Sequence, residues 1–146
     1  MEIKVIVGDI TKIEADAIIV NFFEGMTGLD GDIAAVDKIL DGAISQLISQ
    51  GEVKGKLNEI TVVHSLGKLP TARVVVAGLG KQSELSPNKV RGAVAETCRW
   101  LRQKDIKNIA TITQGVGING ISPQDASQAV TEGALLGLYS FRKHIT

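Results

Sequence analysis

Between Arg73 and Leu79 runs Val74-Val75-Val76-Ala77, a β-branched stretch with no polar alternation. A strand with one wet face alternates apolar and polar side chains, so this run predicts a strand buried on both faces. Ala15 to Val20 is a second, nearly continuous apolar run. Strands of this kind need cover on both sides, which directs the search to helices.

From Asp32 to Gln50, Ile33, Val36, Ile39, Leu40, Ile44, Leu47 and Ile48 recur at helical spacing, with Gly51 at the expected stop. Gly42 weakens the middle by about 1 kcal/mol relative to alanine, so a break is expected there. Ser86-Pro87 and Ser122-Pro123 each set a capping hydroxyl before a proline at the first helical position, where the missing N–H costs nothing. The first of these helices should run to about Lys104, with Val90, Val94, Cys98 and Leu101 on one stripe. The second should run to about Phe141, with Ala126, Ala129, Val130, Ala134 and Leu138. Gly133 and Gly137, four apart on it, would let another element approach closely.

Further strands are expected where Ile3, Val5 and Val7 alternate with polar residues, over Glu59 to Ser65, and over Asn108 to Thr113. Gly67-Lys68-Leu69-Pro70 reads as a turn-rich link between the third and fourth strands. Residues 22 to 31, with Gly25, Gly28 and Gly31 and no periodicity, read as a loop, and Gly78-Leu79-Gly80-Lys81 as a turn. Helices alternating with strands after a β-rich opening predict an α/β fold of three layers, α/β/α, around a mixed, mostly parallel sheet.

At 146 residues the chain fits one domain that needs neither disulfides nor metal to hold together. Lys plus Arg and Asp plus Glu both number 16, so no global field draws it onto nucleic acid or an anionic membrane. The single Cys98 excludes an internal disulfide and a cysteine-based zinc site within these residues, and fits a reducing compartment. Met1-Glu2-Ile3-Lys4 starts straight into an alternating pattern, with no apolar run of membrane length, so a soluble, cytoplasmic protein is expected.

Gly115-Val116-Gly117-Ile118-Asn119-Gly120 matches G-x-G-x-x-G between a predicted strand and a predicted helix. A dinucleotide fold also needs a strand ending in an acid about 20 residues on; here Leu138-Tyr139-Ser140 stands in a helix, so a nicotinamide or flavin site is rejected. What remains is a glycine-rich loop whose N–H groups could take an anion. Gly78-Leu79-Gly80-Lys81 lacks phosphate-loop spacing. His64 and His144 have no metal-ligand spacing, and Cys98 reads as a core residue.

Gly8-Asp9-Ile10-Thr11, then Ala15-Asp16-Ala17-Ile18-Ile19-Val20-Asn21, then Gly28-Leu29-Asp30-Gly31-Asp32-Ile33 resemble macro domains, the ADP-ribose-binding α/β modules. Leu69-Pro70-Thr71-Ala72-Arg73-Val74 and the 115 to 120 loop fall where such domains begin a strand and form a second phosphate loop. The resemblance implies a ligand cleft with Asp9 accepting from the adenine amino group and Asn21 nearby. Gly28 and Gly31 on one side, and Gly115, Gly117 and Gly120 on the other, would wrap the diphosphate. The sequence departs from the macro pattern at Asn21, one residue late, and at Phe22-Phe23-Glu24, which replaces an asparagine-rich segment.

A second resemblance accommodates these departures. Val20-Asn21-Phe22-Phe23-Glu24-Gly25, Gly55-Lys56-Leu57, Val76-Ala77-Gly78-Leu79-Gly80-Lys81 and the segment from Glu132 to Phe141 are similar to the N-terminal domain of leucyl (cytosol) aminopeptidases, itself macro-like. That resemblance implies a non-catalytic domain over residues 1–141, with 142–146 starting a linker to a C-terminal catalytic domain. No catalytic residue and no metal ligand carries over, because the family places two divalent ions, Mn or Zn, in that other domain. The implied partners are the catalytic domain and the other subunits of a hexamer; no membrane or nucleic-acid partner is implied. The alternative is a stand-alone module binding ADP-ribose or a related nucleotide.

Overall fold

The computed structural model describes residues 2–6 and 8–138. Five strands, β1 (Glu2–Ile6), β2 (Ala17–Glu24), β3 (Ile60–His64), β4 (Arg73–Lys81) and β5 (Asn108–Ile112), form one sheet in the order β1-β5-β2-β4-β3. All neighbours are parallel except β3, which runs antiparallel to β4. Helices α1 (Gly31–Ile39) and α2 (Ala43–Ser49) cover one face; α3 (Pro87–Gln103) and α4 (Pro123–Leu138) cover the other. This is the three-layer, mostly parallel arrangement expected from the sequence.

The unbroken apolar runs follow from the pleat. In the β2–β4 register Ile18 lies beside Val74 and Val20 beside Val76, and these residues pack with Ile33, Val36 and Ile44 of α1 and α2. The intervening Ala17, Ile19, Val75 and Ala77 point the other way and meet Leu101 and Ile106. Both sets are buried, which leaves no position for a polar side chain within the runs Ala17–Val20 and Val74–Ala77.

Both serine–proline signals open helices. Ser86 Oγ accepts from the Lys89 N–H at 3.3 Å, and Ser122 Oγ from the Asp125 N–H at 3.0 Å. The close approach foreseen at the α4 glycines is the α3 backbone: a Cβ on Gly133 would stand 2.4 Å from the Arg91 carbonyl oxygen, and one on Gly137 2.5 Å from that of Ala95. The continuation of this helix toward Phe141 lies outside the described residues.

The 32–50 segment breaks at the anticipated glycine. Asp41 (φ 58°) and Gly42 (φ 82°) both adopt left-handed backbone, which ends α1 at Ile39 and lets α2 start afresh at Ala43.

Two expectations are corrected. Residues 22–24 are strand, not loop: β2 continues to Glu24, with a register shift between Phe22 and Glu24. Gly78 to Lys81 is likewise strand and not a turn, with Leu79 buried. The cause is non-local. Residues 55–59 lie against the end of β4, where the Gly78 N–H donates to the Glu59 carbonyl at 2.8 Å, the Asn58 N–H to the Gly78 carbonyl at 3.2 Å, and the Gly80 N–H to the Gly55 carbonyl at 2.9 Å. The glycines mark where another backbone must come close.

Candidate functional site

In parallel sheets ligands bind in the crevice outside the carboxyl ends of the strands. Here the ends of β2, β4 and β5 and the start of α1 enclose a cleft of about 220 Å³. Phe22 and Phe23 of β2, Leu79 of β4, Ile112 of β5 and Ile33 of α1 give it carbon walls. Asp30, Gly31 and Asp32 line one side, and Thr113, Gln114, Gly115 and Val116 the other.

Asn21 stands in the wall, but its amide is engaged within the protein. Nδ2 donates to the Ala77 carbonyl at 3.3 Å and to Gln114 Oε1 at 3.0 Å; Gln114 Nε2 in turn donates to Thr111 Oγ1 at 3.0 Å. This chain of bonds links the central strands and fixes the start of the 115–120 loop. Gln114 is buried, and nothing in its sequence context marks it out as the partner of a residue 93 positions away. Asn21 therefore works first as a structural tie.

The electrostatics of the mouth are acidic. Asp9 caps the short 3-10 turn Ile10–Lys12; the Thr11 hydroxyl and N–H both donate to its carboxylate and hold its pKa below the usual value. Asp32 is shifted the other way, upward, by burial and then by the negative charge of Asp9. Every charged side chain lining the cleft is a carboxylate, Asp30 and Asp32. An anionic ligand would meet these two charges at close range with no cationic side chain in the lining to offset them.

Of the residues named from the sequence, the cleft gathers Asn21, Gly31 and Gly115. Gly28 lines a neighbouring depression with Phe22, Met26 and Ser45. Gly117 and Gly120, both with positive φ, shape the short 3-10 turn Ile118–Gly120 and are not in the cleft lining; the Gly117 N–H is used internally, donating to the Ile121 carbonyl at 2.9 Å. Asp9 is close enough to Asp32 to perturb it without lining the cleft. Asp30 and Asp32, which bracket Gly31, were not singled out as site residues; an Asp-x-Asp pair opening a helix was the available signal.

Elsewhere, Cys98 is fully buried between α3 and α4, and burial pushes its thiol up to about 12, which keeps it from serving as a nucleophile near neutral pH. His64 sits exposed at the end of β3, and His144 lies outside the described residues. Among the described residues no three His, Cys, Asp or Glu side chains come together in a way that could hold a metal ion. No helix there is long and apolar enough to cross a membrane.

Residues 19–144 match the model of the cytosol aminopeptidase family, N-terminal domain. The chain belongs to that family. It is 35% identical, over all 146 residues, to a probable cytosol aminopeptidase from Alkaliphilus oremlandii, but spans only 29% of that relative's length. Among solved structures, a tomato leucine aminopeptidase mutant superposes with a TM-score of 0.70 at 19% identity, covering 97% of this chain and 28% of that one. The macrodomain of Mycobacterium tuberculosis DarG superposes at 0.71 and 17% identity, covering 90% of this chain and 89% of that one. The aminopeptidase N-terminal domain thus has the macro-type fold expected from its opening residues.

Proposed function

We propose that this chain is the non-catalytic N-terminal domain of a leucyl aminopeptidase and serves the assembly or regulation of the parent enzyme. The observation that carries the reading is the family match across residues 19–144 together with the 29% share of the relative's length. In the parent, two divalent metals, Mn or Zn, would activate water and hold the scissile carbonyl oxygen in a C-terminal domain. Residues 142–146 would begin the link to that domain, and the parent would be a cytoplasmic hexamer. Val5 of β1 and Leu135 of α4, large apolar side chains left more than a third exposed, line one depression, a surface suited to cover by the rest of such an assembly. The isolated 146-residue chain, incubated with leucine p-nitroanilide and either manganese or zinc, is expected to release no nitroaniline above the metal-only blank. Metal-dependent turnover by the chain alone would overturn the reading.

The likeness to the DarG macrodomain supports a rival, a stand-alone module for ADP-ribose or a related nucleotide. The carboxylates of Asp30 and Asp32 weigh against it, because the diphosphate would lie beside two like charges. Calorimetry with ADP-ribose is expected to be silent up to about 1 mM, weaker than about −4 kcal/mol of binding free energy. Micromolar binding that disappears in Asp9→Ala would establish the rival instead.

A further inference from the structure

The two edges of the sheet differ in how they are guarded. An edge strand presents a row of unpaired N–H and C=O groups, which proteins blunt with charge, proline or a bulge. At the β1 edge Glu2 and Lys4 stand exposed, 4.0 Å apart. At the β3 edge Ile60-Thr61-Val62-Val63 carries no charge, proline or glycine, and among the described residues no strand other than β4 pairs with it. Its free groups can be placed. The Gly78 N–H donates to the Glu59 carbonyl at 2.8 Å and the Ser65 N–H to the Ala72 carbonyl at 3.0 Å. Antiparallel pairs alternate along a strand, so Thr61 and Val63 also bond inward to β4, while Ile60, Val62 and His64 turn their N–H and C=O groups outward.

The hairpin beyond β3 carries a second signal. The Lys68 N–H donates to the Ser65 carbonyl at 3.0 Å, with Leu66 (φ 52°) and Gly67 (φ 85°) in the two central positions, the pattern of a type I′ turn. Asn-Gly fills such a turn without strain, whereas a leucine there is strained, and this one is also 86% exposed. Before the other end of β3, Leu57 is 40% exposed. A monomer gains nothing from a strained leucine in water; a partner that covers the side chain would offset both costs.

We propose that the β3 edge pairs with the β3 edge of a second copy, antiparallel about a two-fold axis at Val62, so that one sheet runs through both chains. The outward groups suit this register. It sets Val62 against Val62 of the partner subunit and Ile60 against His64 of the partner subunit, each pair exchanging both N–H···O bonds. Leu66 then falls opposite Asn58 of the partner subunit, next to Leu57 of the partner subunit, so the apolar side chains left exposed around one strand meet those of the other. Charge does not oppose the match: the formal net charge of each copy is zero, and the Lys68 ammonium beside the turn is paired with Asp41 at 2.6 Å. A two-fold contact uses the same patch on both copies, and the charged β1 edge does not continue the sheet, so association closes at the pair. The inference does not rest on the aminopeptidase reading, because self-association and metal-dependent turnover are separate measurements.

The test begins with sedimentation equilibrium of the 146-residue chain from about 10 µM to about 1 mM, which should show monomer and dimer with a dissociation constant of roughly 50 µM, as suits an interface at the small end of specific ones. Amide hydrogen exchange over the same range identifies the face. The N–H groups of Ile60, Val62 and His64 should exchange about fivefold more slowly at the top of the range by mass action, whereas those of Thr61 and Val63 are protected throughout. Leu66→Asn suits the left-handed turn, so it should keep or raise the melting temperature of the monomer while weakening the dimer at least about tenfold through lost apolar contact. Val62→Pro gives up an N–H that β4 does not use and should abolish the dimer. The exchange pattern of the unaltered chain decides the matter even if that variant fails to fold. A chain that stays monomeric to about 1 mM, where even weak specific association is populated, or that forms open aggregates, would overturn the proposal. So would a dimer in which Ile60, Val62 and His64 exchange as fast as in the monomer, the result that docking through Val5 and Leu135 would give.

Discussion

Gly78→Ala should destabilise the chain by about 3 kcal/mol or more, the sum of overpacking and lost hydrogen bonds. The residue lies within β4, and its φ is not in the left-handed region, so alanine could adopt the backbone itself without strain. What alanine cannot do is fit. Its Cβ would stand 2.0 Å from the Lys56 carbonyl oxygen and 2.8 Å from the Gly55 carbonyl carbon, both main-chain atoms that no rotamer change can move. Residues 55–59 would have to lift away from the strand. That movement puts at risk the bonds from the Gly78 N–H to Glu59, from the Asn58 N–H to Gly78 and from the Gly80 N–H to Gly55. A fall in melting temperature of about 10 °C is expected for a domain of this size. Gly92→Ala is the control: this α3 glycine has no neighbour within 4 Å of a built Cβ, so alanine there should stabilise by about 0.5–1 kcal/mol through helix propensity. A loss below about 1 kcal/mol at position 78 would mean that the two segments do not approach as closely as described.

The second large effect is expected at Asp37. Its buried carboxylate, on α1, reaches over the break to the start of α2: Oδ1 accepts from the N–H groups of Ile44 at 2.8 Å and Ser45 at 3.0 Å, and Oδ2 from the Ser45 hydroxyl at 2.6 Å. The residue in the N-cap position, Gly42, has no side chain to do this. A helix of 7 residues has little stability of its own, so α2 is held by this carboxylate and by Ile44, which is fully buried beneath it. Asp37→Ala leaves two N–H groups near the core without an acceptor and should cost about 3 kcal/mol, seen as a lower urea midpoint with little change in slope. Asp37→Asn keeps one oxygen for the two N–H groups and should lose about half as much. A cost for Asp37→Ala within about 1 kcal/mol of zero would show that packing of Ile44 alone positions α2.

The cleft separates what local chemistry can reveal from what it cannot. Both glycine-bearing segments were legible as special backbone, because successive glycines without periodicity have few other uses. Which of their residues face a common space was not. Gly31 and Gly115 line the cleft, whereas Gly117 and Gly120 shape a neighbouring turn, a difference of orientation that a string of glycines does not encode. The same holds for Asn21, whose partner Gln114 lies 93 positions away, and for the two aspartates, whose effect depends on standing opposite a loop from the other half of the chain.

By itself the sequence determined the class of fold, the helix starts at Ser86 and Ser122, the weak point at Gly42 and the place in the cytosol aminopeptidase family. Each of these is written in contiguous residues through periodicity, capping or a run of matched positions. Only the tertiary structure decided that β2 and β4 extend to Glu24 and Lys81, that Asp37 caps a helix on another segment, and that the cleft is walled by carbon and rimmed by carboxylates. These depend on contacts between residues distant along the chain, and no local preference specifies which distant backbone, or which distant charge, will arrive alongside.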